Sequence, residues 1–164
     1  GRSAIELVGK YDNLIVTQTF SKARSMAGMR IGYAVSNPDL IRCLNDVKYS
    51  FNSYTMSRAA LACGAAAVKD VEYLEETVRK IKETRERTKK ELAQLGFEFT
   101  DSKANFLFAR HPRYDAGKLF EELKEAHIYV RHWNDEKIRD YLRITIGTDE
   151  EMDVLFDYLR KRVC

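Results

Sequence analysis

The sequence predicts an α/β protein whose C-terminal part is a small mixed α/β sandwich, a sheet covered on one face by helices. Segments with β-like and helical patterns alternate along the chain, and two βαβ-like alternations occupy the part after residue 96. The 164 residues are enough for one domain with a real hydrophobic core. The chain contains neither an internal repeat nor a low-complexity segment.

The first predicted elements are two short strands and a capped helix. Residues 11–20 and 30–35 are predicted as strands, which would be the last strands of a larger sheet. Asn37 is the predicted N-cap of a helix that has Pro38 at its first position and ends near Lys48. Its apolar side chains recur at helical spacing and are predicted to be buried: Leu40, Ile41, Leu44 and Val47.

Residues 49–54, rich in aromatic and polar side chains, are predicted as a loop before the second helix. That helix covers residues 55–68 and consists mainly of alanine and other small residues. Because small side chains let helices approach closely, we expect this helix to be enclosed by its neighbours.

Asp70 then caps a long amphipathic helix that ends before Gly96. Arg85 and Thr88 interrupt its apolar stripe, so the pattern predicts packing on a domain face rather than a coiled coil. The stripe consists of Val71, Leu74, Val78, Ile81, Leu92 and Leu95.

The last third of the chain combines short strands with two helices. A helix is predicted near residues 115–126, and Thr148 opens another through a Thr-x-x-Glu capping box closed by Glu151. Residues 132–135 are predicted as a loop without a cue to function. The predicted strands are residues 97–100, 105–109, 128–131 and 141–146.

Charge and cysteine content exclude several functional classes. The 28 basic and 25 acidic residues are interleaved and give a net charge of +3, which disfavours nucleic-acid binding. No apolar run approaches membrane-spanning length. The three cysteines lack metal-ligand spacing and are predicted as reduced thiols of a cytoplasmic protein: Cys43, Cys63 and Cys164. No metal site is predicted at the scattered histidines, which are His111, His127 and His132.

The segment after the first predicted strand carries the strongest chemical signal. Lys22 follows the hydroxyl residues Thr19 and Ser21, and Arg30 lies further on between two glycines. A lysine amine that has lost its proton condenses with an aldehyde to form a Schiff base, and hydroxyls with a guanidinium suit a phosphate. An aldehyde and a phosphate on one small molecule describe pyridoxal phosphate. From these residues alone, a surface lysine beside an ordinary turn stays an open alternative.

A second candidate lies in the predicted strand at residues 141–146. Period-two alternation places Arg143 and Thr145 on one face of this strand and the apolar side chains on the other. A planar guanidinium can hold a carboxylate through two parallel hydrogen bonds. A lone arginine on the polar face of a strand is commonly only solvent-exposed, so both interpretations are open from the pattern.

Several motifs together resemble those of the fold-type I pyridoxal-phosphate enzymes, and most closely those of the histidinol-phosphate aminotransferases. The family motifs are a Thr-x-Ser-Lys-Ala start with an Ala-Gly-x-Arg finish, and a Leu-Arg-Ile-Thr-hydrophobic-Gly-Thr segment near the C-terminus. They occur in the family's order and cover essentially the whole chain. The corresponding segments here are Thr19 to Ala23, Ala27 to Arg30, Ala104-Asn105-Phe106, Val130-Arg131 and Leu142 to Thr148.

This resemblance implies that pyridoxal 5'-phosphate is the cofactor and assigns residues to it. Lys22 would be the catalytic residue, which binds the cofactor as a Schiff base and moves a proton as general base and then as general acid. Three further residues would bind the cofactor phosphate: Thr19, Ser21 and Arg30.

The resemblance also implies substrate-binding residues. Arg143 would hold the substrate α-carboxylate, and Arg131 would face the substrate's phosphate or distal group. Asn105 would help to shape the site, although a polar contact at the end of a strand explains this residue equally well.

The implied fold is the C-terminal part of the fold-type I PLP-dependent transferase fold, mainly its small mixed α/β domain. Residues 1–36 would be a remnant of the large cofactor-binding domain, and residues 37–164 would form connecting helices and the small domain. In the family the lysine lies past the middle of the protein, whereas here it is near the start, and the chain begins without methionine. We therefore expect the C-terminal half of a longer protein.

The implied reaction converts histidinol phosphate and 2-oxoglutarate to imidazole acetol phosphate and glutamate, in a homodimer with no nucleic-acid or membrane partner. The family's Asp for the pyridine nitrogen, stacking aromatic residue and backbone phosphate nest lie upstream, so we expect this chain alone to be inactive and to bind cofactor weakly or not at all. Two alternatives are open. One is another fold-type I enzyme, such as a different aminotransferase or a threonine-phosphate decarboxylase. The other is a non-catalytic fragment that self-associates through exposed strand edges.

Overall fold

A computed structural model describes residues 3–163 of the chain. The chain forms two compact units, of which the first ends at Glu75 and the second begins at Glu76. Mixed α/β structure is present as predicted, whereas the predicted boundary between residues 36 and 37 stays a prediction.

The first unit consists of a β-hairpin and helices. Strands β1 and β2 pair antiparallel, with Val16 opposite Val35 and Thr19 opposite Gly32. The strand predicted from residue 11 begins only at Val16, because a turn closed by the Leu14 N–H on the Tyr11 carbonyl precedes it. The elements are β1 (Val16–Thr19), β2 (Gly32–Val35), α1 (Pro38–Phe51), α2 (Arg58–Lys69) and the start of α3 (Val71–Gln94), with short 3₁₀ turns at Ala4–Leu7 and Ala27–Met29.

Helix α1 begins as predicted but is not buried as predicted. The Asn37 side chain accepts a hydrogen bond from the Leu40 N–H at 2.9 Å, which confirms the N-cap. The helix continues to Phe51, so the loop predicted from residue 49 starts later. The predicted burial of its apolar stripe is wrong, since Leu44 is 40% and Val47 61% exposed. Helical spacing creates an apolar face but does not determine what covers that face.

Helix α2 is likewise more exposed than its composition suggested. It begins after Ser57, whose side chain accepts from the Ala60 N–H, and only Ala60 and Gly64 are buried along it. The predicted enclosure of this helix is therefore wrong for the part of the chain that the structure describes. The small core of this unit comprises Phe20, Ile31 and Ala60, with Met26, Met29 and Met56 packed against them. Cys43 and Cys63 are free and exposed thiols, and Cys164 lies outside the described residues.

The second unit is built on a three-stranded antiparallel sheet in the order β3-β4-β5. The predicted strand at residues 128–131 is wrong, because only Arg131 bridges to β5, through Arg143. In both βαβ-like alternations the strands pair antiparallel, β3 with β4 and β4 with β5. Besides the rest of α3, the elements are β3 (Glu98–Phe99), β4 (Phe106–Arg110), α4 (Ala116–Glu125), β5 (Leu142–Thr145) and α5 (Asp149–Val163).

Alternation along β4 and β5 gives the sheet two different faces. The inward side chains are fully buried with residues of α3, α4 and α5, as the predicted one-sided cover requires. These inward residues are Leu107, Ala109, Leu142 and Ile144. On the other face Phe106, Phe108 and Arg143 are only half-buried, which leaves a surface of aromatic and charged groups.

Side chains cap the last two helices, and the cap of α5 is the predicted one. The Asp115 carboxylate accepts from the Lys118 N–H at 2.8 Å at the start of α4. In the capping box of α5, the Thr148 N–H donates to Glu151 Oε2 at 2.8 Å and the Glu151 N–H donates to Thr148 Oγ1 at 3.3 Å. Within residues 3–163, no helix is both long and apolar enough to cross a membrane.

Candidate active site

The first group of candidate residues lies at the open end of the β1–β2 hairpin. Thr19 is the last residue of β1, and the Phe20 N–H continues the ladder by donating to the Ile31 carbonyl at 3.0 Å. Ser21 and Arg30, the two ends of the segment that connects the strands, therefore lie opposite each other just beyond this last ladder bond. Phe20 and Ile31 are buried, which anchors this end of the hairpin in the core of the first unit.

Two hydroxyl groups are coupled beside the lysine. The Thr19 hydroxyl lies 2.8 Å from Ser21 Oγ and 3.4 Å from the Ile31 carbonyl, and its oxygen accepts the Ser21 N–H at 3.1 Å. When the Thr19 hydroxyl donates a hydrogen bond to Ser21 Oγ, the Ser21 hydroxyl can donate its own proton to another acceptor. The pair can therefore offer a hydroxyl donor to an anion.

Lys22 and Arg30 are exposed, and the backbone between them is tightly turned. Lys22 is exposed, and its carbonyl accepts the Ser25 N–H at 3.0 Å. Ser25 and Arg30 both have left-handed backbone conformations, with φ of 54° and 56°. Such values are uncommon for residues other than glycine and are concentrated at functional sites. Arg30 Nη1 donates to the Ala27 carbonyl at 3.2 Å, and within residues 3–163 neither Lys22 nor Arg30 forms a salt bridge.

The second group, Arg131 and Arg143, lies in the second unit. Their backbones exchange two hydrogen bonds, with the Arg131 N–H on the Arg143 carbonyl at 3.0 Å and the reverse at 2.8 Å. Along β5, Leu142 and Ile144 are buried whereas Arg143 is half-buried and Thr145 exposed. The predicted alternation is therefore confirmed. The two arginine side chains extend from chain segments that are hydrogen-bonded neighbours.

Aromatic rings surround these two arginines. The Arg143 guanidinium carbon lies 5.4 Å from the centroid of Phe106 and 5.6 Å from that of Trp133. The Arg131 guanidinium carbon lies 5.5 Å from the Trp133 centroid. Trp133 lies in the segment predicted as a loop without a cue to function. Its place two residues after Arg131 was nevertheless a usable signal, since alternate residues of an extended segment share a side.

The candidate residues fall into two groups, one in each unit. Thr19, Ser21, Lys22 and Arg30 share the hairpin end of the first unit, and Arg131 and Arg143 share the sheet surface of the second. Asn105 immediately precedes β4, and its backbone carbonyl accepts the Ile146 N–H at 2.9 Å. That bond ties it to the end of β5, and a role for its side chain stays a prediction.

The histidines belong to local structure. His132 Nε2 lies 2.7 Å from the Arg139 carbonyl, and His127 is an exposed residue with a φ of 59°. His111 is buried against Gly96, and burial lowers the pKa of its imidazole below the ordinary value of 6.5. Within the described residues, no group of three or more His, Cys, Asp and Glu side chains is arranged to hold a metal ion.

Comparison with known proteins identifies the family. Residues 1–159 match the family model described as aminotransferase class I and II. The chain therefore belongs to the class I and II aminotransferase family. It is similar to the histidinol-phosphate aminotransferases of Brachyspira hyodysenteriae, with 49% identity over 96% of the chain, and of Pseudomonas putida, with 52% identity over 97%. The chain spans 45% and 46% of the lengths of these two curated relatives.

Solved structures give the same result for the fold. The histidinol-phosphate aminotransferase of Sinorhizobium meliloti, solved in complex with pyridoxal-5'-phosphate, is 32% identical with a TM-score of 0.83, covering 96% of this chain and 43% of that one. The histidinol-phosphate aminotransferase of Clostridium acetobutylicum superposes with a TM-score of 0.88 at 24% identity, over 97% of this chain and 48% of that one. The predicted fold-type I transferase fold, present to less than half of its full extent, is confirmed.

Proposed function

We propose that this chain is the C-terminal half of a pyridoxal-phosphate-dependent aminotransferase that transfers the amino group of histidinol phosphate to 2-oxoglutarate. The observation that carries the proposal is the hairpin end on which Lys22 stands beside coupled hydroxyls, with Arg30 across the ladder. The choice of substrate is supported by relatives named histidinol-phosphate aminotransferase, with which the chain shares 49% and 52% sequence identity. The products are then imidazole acetol phosphate and glutamate.

The residues at the hairpin end fit the proposed cofactor. Ser21 has a hydroxyl proton to donate, and Arg30 uses one of its five N–H donors on a backbone carbonyl and forms no salt bridge within the described residues. Together with Thr19 they can hold a phosphate dianion through charge-assisted hydrogen bonds. When bound, pyridoxal phosphate supplies an electron sink for the carbanion that forms at the substrate Cα.

Lys22 has two tasks in this proposal. Its side chain is exposed and forms no salt bridge within residues 3–163, so its Nζ is free to bond covalently to the cofactor aldehyde. When Lys22 is not bonded to the cofactor, its amine would remove the proton from the substrate Cα as general base and hold it at Nζ. As general acid it would then give up that same proton.

The arginines of the sheet surface are proposed to bind the substrate. Arg143 holds the α-carboxylate through two parallel hydrogen bonds, which fixes the direction of the Cα–H bond. Arg131 faces the phosphate of histidinol phosphate or the distal carboxylate of glutamate. What supports this assignment is that both guanidiniums contact aromatic rings and form no salt bridge within the described part of the chain.

The assembly and domain assignments are part of the same proposal. Residues 1–36 belong to the large cofactor-binding domain, and residues 37–164 form the connecting helices and the small domain. The full-length enzyme is a cytoplasmic homodimer. Its substrates are small amino and keto acids, as the family membership supports.

Replacement of Lys22 tests the proposal in the full-length protein. Lys22→Ala is expected to reduce transamination between histidinol phosphate and 2-oxoglutarate to background, because the covalent link and the proton transfer are both lost. Steady-state assays with both substrates measure the effect, and Lys10→Ala, which removes an exposed lysine of the same unit, is the matched control. Near-normal turnover in Lys22→Ala would contradict the assignment.

A labelling experiment examines the isolated chain. Pyridoxal phosphate is added, the sample is reduced with borohydride, and peptides are mapped by mass spectrometry. A stoichiometric adduct at Lys22 that disappears in Lys22→Ala and persists in Lys10→Ala means that the chain alone retains a selective aldehyde site. Label scattered over surface lysines means that the chain needs the rest of the enzyme to bind the cofactor.

A further inference from the structure

We infer that Trp133 is the positioning residue that holds Arg131 and Arg143 together as one anion-binding pair. The inference rests on the proposed function, which assigns the two arginines to substrate binding, and adds the residue through which they are arranged. Trp133 itself offers one indole N–H and an apolar ring, so it acts through the guanidiniums.

Contacts within the second unit carry the inference. One indole ring lies 5.5 Å from the Arg131 guanidinium carbon and 5.6 Å from that of Arg143. Both distances are within the range of cation–π attraction, for which tryptophan is the best aromatic partner. The ring is itself held by Phe108, whose centroid is 6.4 Å away in an edge arrangement.

Other arginines of this unit are arranged differently. Six of them lie within salt-bridge distance of a carboxylate: Arg79, Arg85, Arg87, Arg110, Arg160 and Arg162. An arginine in a salt bridge uses N–H donors on that carboxylate even where it also lies over a ring, as Arg162 does over Tyr114. Arg131 and Arg143 form no salt bridge within the described residues and keep these donors for another acceptor. The Nε of Arg143 is buried without a hydrogen-bond partner in the described structure.

Electrostatics explains why a ring is needed. Two guanidiniums near each other repel, and a carboxylate that neutralised them would also compete with the substrate anion. An indole ring attracts both cations without adding a formal charge. Because the Arg131 and Arg143 backbones are joined by two hydrogen bonds, the ring has to order only the two side chains. The pair then presents a prearranged double positive charge to a phosphate or carboxylate.

Phosphate titration of the chain tests this. Inorganic phosphate is titrated by calorimetry into the wild type, Trp133→Leu and Trp133→Phe, after circular dichroism has shown that each variant is folded. The leucine variant is expected to bind phosphate about tenfold more weakly, and the phenylalanine variant to recover most of the loss, since cation–π attraction of this size is restored by any aromatic ring. Tyr114→Leu is the matched control, because its ring lies 5.2 Å from the Arg162 guanidinium carbon, and binding within about twofold of wild type is expected.

A spectroscopic measurement separates positioning from general stability. The Nε–Hε signals of Arg131 and Arg143 in ¹⁵N spectra are expected to shift in Trp133→Leu, because the ring current of the indole is lost, and to stay in place in Tyr114→Leu. Trp133 is the single tryptophan of the chain, so phosphate is also expected to change the intrinsic fluorescence of the wild type.

Several results would overturn the inference: no phosphate binding by the wild type, equal binding by Trp133→Leu, or unshifted arginine signals in that variant. These outcomes are independent of Lys22. If Lys22→Ala leaves turnover intact while Trp133→Leu loses phosphate binding, the proposed reaction is wrong, but the inference about the arginine pair is retained. If Lys22 is essential and Trp133→Leu binds normally, only the role of Trp133 is wrong.

Discussion

Polar side chains buried in the second unit have hydrogen-bond partners, and for Arg85 and Thr88 the partner is a backbone carbonyl. Thr88 Oγ1 donates to the Thr84 carbonyl at 2.8 Å, one turn earlier in α3, and Arg85 Nη1 donates to the Ala104 carbonyl at 3.3 Å. A buried polar group without such a partner costs about 1–3 kcal/mol. These bonds explain how two residues that interrupt the apolar stripe of α3 are nevertheless buried.

The His111 ring is also hydrogen-bonded to backbone groups, and these two bonds determine its tautomer. Nε2 lies 3.0 Å from the Leu95 carbonyl and must donate its proton there, while Nδ1 accepts the Arg113 N–H at 3.2 Å. Both bonds together require the neutral imidazole. Burial lowers the pKa of His111, and the bond to the Leu95 carbonyl only partly opposes that effect.

The unfolding free energy is therefore expected to depend on pH through His111. Above the unfolded pKa of 6.5 the side chain is neutral in both states and its stabilisation is complete. As the pH falls below 6.5 the unfolded chain takes up a proton before the folded one does, so stability is lost until the pH passes the lowered folded pKa. Urea unfolding at a series of pH values measures this dependence.

His111→Asn is expected to flatten that pH dependence, whereas His127→Asn, at an exposed histidine with left-handed backbone, is expected to retain it. Asparagine is chosen for both because it tolerates the left-handed conformation. An unchanged slope in His111→Asn would show that other groups cause the acid sensitivity.

Among the elements, the helices are defined by their first turns. Asn37, Asp115 and Thr148 each supply a side-chain oxygen to an unsatisfied N–H, and at Thr148 the bond is returned by Glu151. Helix α5 contributes much of the core of the second unit through Met152 and other buried residues, so its cap supports packing as well as helix formation.

Removal of this cap is expected to destabilise the second unit. Thr148→Ala should lower the free energy of unfolding by about 1 kcal/mol, since one N–H at the start of α5 loses its acceptor. Chemical denaturation followed by circular dichroism measures the difference. Thr100→Ala, at an exposed threonine outside helices and strands, is the matched control and should change stability by less than about 0.5 kcal/mol.

For the molecule as a whole, the two units differ in how much apolar surface they bury. The second has an extended core formed by its sheet and helices, whereas the first has the small core around Phe20, Ile31 and Ala60. Large apolar side chains of the first unit remain exposed, among them Phe51 at 78% and Tyr54 at 95%. A chain with less than half the length of its relatives is expected to expose surface that the full-length enzyme covers.

The chain alone is therefore expected to self-associate. Exposed apolar side chains and unpaired strand edges both favour contacts between copies. Size-exclusion chromatography over a wide concentration range should show a mass that rises with concentration. Phe51→Ser is expected to reduce the effect, and Thr100→Ser, an exposed change in the other unit, to leave it unchanged. A monomer at every concentration would contradict this expectation.

Features that depend on a few neighbouring residues were determined by the sequence alone. The caps at Asn37, Asp70 and Thr148 and the alternation along β5 follow from spacings of one to four residues. The lysine and arginine candidates were also evident from sequence, because their motifs are local.

Tertiary structure alone decided which faces are buried and which side chains meet. Exposure of Val47 in α1, burial of Thr88 in α3 and the contact of Trp133 with Arg143 depend on segments that are not neighbours in sequence. Helical spacing defines a face, but the free energy of burying that face comes from whatever other segment packs against it.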